Sequence, residues 1–171
     1  FKQQVRWEEV QPTRDQWDWS KLDLAMPSAT KFGVKTLLSI VTAPAWAREQ
    51  GVNVEKHGPP ASNADYVNFV TELLKRYPGQ VHAIEVWNEQ NLDREWMSTK
   101  GLSAANYVAL LRDTYTAIKA VDPGIIVISG ALSPTGTGDW VRWADDFEYL
   151  DRALAAGMLN YADCVGAHHN G

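Results

Sequence analysis

The sequence predicts an α/β fold built on a parallel sheet, and three observations predict it. Short apolar runs recur along its 171 residues. Segments with apolar residues at helical spacing separate those runs. Gly or Pro punctuates most of the joins. Strand and helix alternating to a fifth strand mean a parallel sheet with helices packed outside it. Right-handed crossovers leave two closures, an open doubly wound sheet or part of an eight-stranded barrel. A complete barrel takes roughly 250 residues, so this chain is expected to hold part of one.

The first strand is Gln3 to Trp7, with Arg6 near its end. A loop carries Glu8 to Pro12 and then Asp15 to Trp19. Ser20 is the expected cap of the next helix, with Asp23 three residues on in capping-box style. That helix runs to about Phe32 and stops at Gly33, and Pro27 inside it predicts a kink or a split. Lys35 to Thr42 has a near-continuous apolar centre, Leu37 to Val41, as suits a strand buried on both faces. Ala43-Pro44-Ala45-Trp46 ends it, and a long loop with Gly51, Gly58, Pro59 and Pro60 follows. Ser62 caps a helix whose buried stripe is Tyr66, Val70, Leu73, Leu74 and Tyr77. Val81 to Trp87 is the third strand, and it runs into Asn88-Glu89. A helix from near Ser103 presents Tyr107, Leu110, Leu111 and Ile118 on one face, and Asp122-Pro123-Gly124 stops it. Ile125 to Ser129 is the fourth strand. A helix over Asp145 to Ala156 is expected to bury Phe147, Leu150 and Leu154. Asp163 to Ala167 reads as a fifth strand, followed by His168-His169-Asn170.

Composition excludes several classes. With 45% hydrophobic and 22% charged residues, the chain has the balance of a folded globular domain. A net charge of -5 argues against nucleic-acid binding, which needs a basic stripe. No apolar run approaches the roughly 20 residues of a membrane span. The single cysteine, Cys164, excludes an internal disulfide. Because it opens at Phe1, inside an element, the sequence is expected to be a piece of a longer polypeptide. Eight tryptophans (Trp7, Trp17, Trp19, Trp46, Trp87, Trp96, Trp140 and Trp143) have two readings: aromatic core, or flat cleft walls on which sugar rings stack.

Ionised carboxylates are rarely buried without a partner. An Asn-Glu pair at the end of a buried strand therefore needs a reason, and strand ends are where α/β folds keep their chemistry. Arg6, Trp46, Asn88, Glu89, His168 and Asn170 are the polar or aromatic residues that a barrel would gather at one mouth. Cleaving a glycosidic bond takes two carboxyl groups, one to protonate the leaving oxygen and one to attack the sugar or activate water. Glu89 suits the first role, and Asn88 can bind a sugar hydroxyl. The plainer reading of Glu89 is a salt bridge to Arg6 or Arg94. Glu85 reads as a residue facing the helices and paired with Lys or Arg, and His57 and His82 as surface or core residues.

Four stretches resemble the clan A retaining glycoside hydrolases, most closely families 39 and 5. They are Val86-Trp87-Asn88-Glu89, Arg6 with Trp7, Pro12 and Trp17-Asp18-Trp19, Leu37 to Trp46, and Val165-Gly166-Ala167-His168. The resemblance implies a (β/α)8 TIM barrel, one partial domain over residues 1–171 that covers roughly the second to sixth strands. It implies O-glycoside hydrolysis of an oligo- or polysaccharide by a retaining double displacement. Glu89 is then the general acid/base, and Arg6, Trp46, Asn88 and His168 bind substrate. No cofactor or metal is implied. The compartment stays open, though such enzymes are often secreted. Two departures stand out. His168-His169-Asn170 replaces the usual His-x-Tyr, and the seventh strand that would carry the nucleophile Glu is not in the sequence. This chain alone is therefore expected to be inactive and to associate through open barrel edges. Two other readings are a carbohydrate-binding barrel without catalysis, and a metal-dependent hydrolase using Asp163, His168 and His169. The last is disfavoured, since adjacent strand residues point to opposite faces.

Overall fold

A computed structural model describes residues 1–169; Asn170 lies outside the described residues. Four parallel strands form the sheet in sequence order: β1 Lys2–Arg6, β2 Leu37–Val41, β3 Ala83–Val86 and β4 Ile126–Ser129. Helices α1 (Trp7–Val10) and α2 (Ser20–Lys31) join β1 to β2. Helix α3 (Asn63–Arg76) joins β2 to β3, α4 (Ala104–Val121) joins β3 to β4, and α5 (Asp146–Ala155) follows β4. The register sets Ile40 beside Val86, and Val86 beside Ser129. The carboxyl ends of the strands therefore lie level, and the loops leaving them share one face.

The helices stand where the apolar stripes put them. Tyr66, Val70, Leu73, Leu74 and Tyr77 are buried along α3 and its end, and Tyr107, Leu110, Leu111 and Ile118 along α4. They pack on Val5, Leu38, Ile40, Ile84, Val86 and Val127, the alternate residues of the four strands. The opposite sheet face carries Gln4, Ser39 and Glu85, which lie side by side in the register. Glu85 thus faces away from the helices, contrary to expectation. It does pair with a lysine: Lys2 Nζ lies 2.8 Å from Glu85 Oε2.

Other local expectations are corrected. Ser20 is the first residue of α2 rather than its cap, and its N–H donates to the Asp18 carboxylate at 2.9 Å. Pro27 does not split the helix. Trp7 begins a one-turn helix directly after β1 instead of ending the strand. On α5 the buried residues are Tyr149 and Ala153, while Phe147 is 71% exposed. Residues 147, 150 and 154 are periodic, but the core lies under the neighbouring stripe. Among the described residues, the segment 163–167 makes two isolated parallel bridges, Ile128 to Cys164 and Leu132 to Ala167, and no continuous ladder. Side chains take up ladder partners there. The Asp163 carboxylate accepts the Val127 N–H at 2.8 Å, and the Ser129 hydroxyl accepts the Gly166 N–H at 3.1 Å.

Two buried tyrosines tie the strand ends. Tyr66 of α3 donates to the Ile40 carbonyl at 2.8 Å. Tyr107 of α4 donates to the Val86 carbonyl at 3.1 Å and accepts the Gly130 N–H at 2.6 Å. Burial pushes both phenols well above their usual range. Tyr149, at the same place on α5, is equally buried, yet its hydroxyl has no partner among the described residues. Tyr107→Phe should therefore cost about 1–3 kcal/mol in urea unfolding, because it strands two buried backbone groups. Tyr149→Phe should cost nothing or stabilise slightly, so an equal loss in both variants contradicts this account.

Candidate active site

Glu89 leaves β3 on a backbone that few residues adopt. Trp87 has φ +74° and Glu89 φ +48°, both in the left-handed region, which costs a non-glycine residue of order 1 kcal/mol or more. The surroundings hold this conformation. The Glu89 N–H donates to the Ala131 carbonyl at 2.8 Å, and its carbonyl accepts the Leu92 N–H at 2.9 Å. Gln90, 1% exposed, donates to the Gly130 carbonyl at 2.8 Å. A side chain at 130 would stand 2.4 Å from Gln90 Oε1 and 2.8 Å from the Val86 carbonyl, so only glycine fits there. Asn91 is fully buried. Its amide donates to the carbonyls of Ser133 and Ala144, and its oxygen accepts the Ser133 N–H at 2.9 Å. The loop after β3 is thereby clamped to the loop after β4.

The Glu89 side chain is 13% exposed and meets two partners. Its Oε1 lies 3.0 Å from His168 Nδ1, and its Oε2 lies 3.4 Å from Arg94 Nη2. A carboxyl between a histidine and an arginine can give up a proton and be stabilised as the anion afterwards. Arg94 is therefore a true partner of the glutamate, as the salt-bridge reading expected, and His168 joins it from the far end of the described chain.

The other expected site residues are divided. Arg6, at the end of β1, binds Glu8 Oε1 through Nε (3.2 Å) and Nη2 (2.5 Å), and reaches His57 Nε2 at 2.9 Å. His57 Nδ1 lies 3.3 Å from Glu95 Oε2, and Glu95 Oε1 lies 3.9 Å from Arg94 Nε. One chain of contacts therefore joins Arg6 to Glu89. His57 and Glu95 were missed, because loop residues carry no periodicity to mark them. The Asn88 side chain is half-buried and makes no hydrogen bond to the described residues. The structure does not bring Trp46 into contact with Glu89. Its indole donates to the Gln11 carbonyl at 3.0 Å, packs edge-on to Trp7, and lies under the Arg14 guanidinium.

The tryptophans follow the core reading more than the cleft reading. Trp7, Trp87 and Trp96 are buried, and Trp17 stacks on Trp19 at 5.2 Å. Trp143 lines an open cleft of about 530 Å³ beside Arg94, with Lys56, Ser133 and Thr135. Asp163 binds Lys119 Nζ and the Val127 N–H at the opposite strand end from His168, which separates the expected metal ligands.

No protein-family model matches the chain, and no curated protein matches its sequence. Solved structures do. A family 39 glycoside hydrolase from the gut symbiont Bacteroides cellulosilyticus WH2 aligns over 98% of this chain with a TM-score of 0.72 and 23% identity, and 32% of that chain is covered. A family 39 β-xylosidase from Caulobacter crescentus aligns over 97% of this chain with a TM-score of 0.57 and 22% identity, and 39% of that chain is covered. A psychrophilic family 10 endo-β-1,4-xylanase aligns over 94% of this chain with a TM-score of 0.64 and 13% identity, and 51% of that chain is covered. The fold is thus that of (β/α) barrel glycoside hydrolases, and the chain spans about a third to a half of the length of these structures.

Asn91→Leu keeps the volume but leaves the Ser133 N–H and carbonyl without a partner, while the Ala144 carbonyl keeps the Thr135 hydroxyl. It should cost about 2–4 kcal/mol in urea unfolding. A loss under about 0.5 kcal/mol shows that the clamp does not hold the two loops.

Proposed function

We propose that this chain is the acid/base-bearing part of a retaining glycoside hydrolase. The observation that carries the proposal is Glu89, a largely buried carboxyl three residues beyond the carboxyl end of a parallel strand, set between His168 and Arg94. In the first step the Glu89 carboxyl gives its proton to the glycosidic oxygen as the sugar transfers to a second carboxylate. That carboxylate, the nucleophile, belongs to no residue of this chain. The anion left on Glu89 is held by Arg94. In the second step Glu89 takes a proton from water, and the water attacks the glycosyl ester. Asn88 and Arg6 offer donors to sugar hydroxyls, and Trp143 gives the cleft an aromatic wall. Since two of the similar structures are a β-xylosidase and an endo-β-1,4-xylanase, xylosides are the first substrates to try.

The purified 171-residue chain should not turn over an aryl xyloside. In the parent polypeptide, Glu89→Ala should lower the rate about 10²–10⁴-fold for substrates with poor leaving groups, and far less for activated aryl leaving groups. Added azide should then restore turnover by giving the glycosyl azide. Equal losses for all leaving groups, without azide rescue, contradict the acid/base role. Xyloside binding by the parent without turnover favours the non-catalytic carbohydrate-binding barrel instead.

A further inference from the structure

We propose that His57 is a positioning residue for the sugar-binding arginine, held as one neutral tautomer, an inference that rests on the glycosidase reading. An arginine side chain has donors and no acceptor. Arg6 Nη2 lies 2.9 Å from His57 Nε2, so Nε2 must present its lone pair. The ring proton is then on Nδ1, where Glu95 Oε2 accepts it at 3.3 Å. A proton on Nε2 would set an N–H against an N–H. Arg6 of β1 meets the imidazole at Nε2, and Glu95 of the loop after β3 meets it at Nδ1. Lys56, its neighbour in sequence, is taken by Asp93.

The backbone around His57 is fixed from both sides. Its N–H donates to the Arg94 carbonyl at 3.0 Å, and its carbonyl accepts the Met97 N–H at 2.9 Å. The next residue is Gly58, where a Cβ would meet the Met97 carbonyl at 2.3 Å, so the two loops approach closely only with glycine there. The imidazole is thus a rigid stop against which the guanidinium rests. With Nε on Glu8 and Nη2 shared between Glu8 and His57, Nη1 is the donor without a partner among the described residues. It is the atom left for a sugar hydroxyl. His57 acts through Arg6 and does not itself touch the reacting atoms.

Two measurements on the 171-residue chain test this. Long-range ¹H–¹⁵N spectra of the labelled protein at pH 7 should show His57 with a protonated Nδ1 and an unprotonated Nε2. An imidazolium, or the Nε2–H tautomer, overturns the proposal. Calorimetric titration with xylobiose should show binding weakened about tenfold in His57→Phe, the loss of one charge-assisted contact, with circular dichroism unchanged. His57→Gln places an amide oxygen near the Nε2 position and should bind within about twofold of the parent, a difference well under that of one hydrogen bond. His57→Phe binding like the parent, or His57→Gln failing like His57→Phe, also overturns it. If the unsubstituted chain binds no xylobiose while the Nδ1–H tautomer is found, the assigned Arg6–His57 geometry stands and the sugar-binding role of Arg6 is overturned; the glycosidase reading fails separately, by the leaving-group and azide test on Glu89→Ala.

Discussion

A strand that ends inside a protein leaves amide and carbonyl groups that water cannot reach, and the mouth of this sheet depends on how they are satisfied. Tyr66 takes the Ile40 carbonyl, Tyr107 takes the Val86 carbonyl and the Gly130 N–H, and Asn91 takes the backbone at 133 and 144. These are side-chain solutions to a backbone problem, and they come from helices and loops that follow the strands they serve. Once they are in place, the chain after Val86 has little freedom. Glu89 is held in a left-handed conformation with its carboxyl turned to His168 and Arg94.

The proposed mechanism asks one carboxyl to act twice. General acid catalysis needs a group that holds a proton and then tolerates its loss. Arg94 and the His168 ring both lie against the Glu89 carboxyl. Glu95 contacts Arg94 and also lies 3.3 Å from His57 Nδ1. Arg6, His57, Glu95, Arg94 and Glu89 therefore share one network of contacts.

Much of this was legible in the sequence, and the parts that were not have a common cause. The strands and the stripes of α3 and α4 could be read because burial on a regular element leaves a period. The place of Glu89 just beyond a strand end could be read because an apolar run stops there. His168 could be named as a residue near a strand end, but its contact with Glu89 could not. Phe147 misled because α5 has two apolar stripes, and only the packing of Tyr149 and Ala153 decides between them. The 163–167 run has strand composition, but Asp163 and Ser129 side chains occupy ladder positions that composition does not reveal. His57 and Glu95 lie in loops fixed by backbone contacts such as that between His57 and Met97, and such contacts leave no pattern in a sequence.

The central claim is that Glu89 stands where a leaving-group oxygen would be protonated. The most direct test is an affinity label with a bromoacetamide on the anomeric nitrogen of xylose, which puts an electrophile at that oxygen's position. The Glu89 carboxylate would displace bromide and form an ester, and peptide mass mapping would locate it. The account predicts a single label on Glu89, blocked by excess xylobiose and absent in Glu89→Gln. Labelling elsewhere, or labelling of Glu89 that xylobiose does not slow, would contradict it.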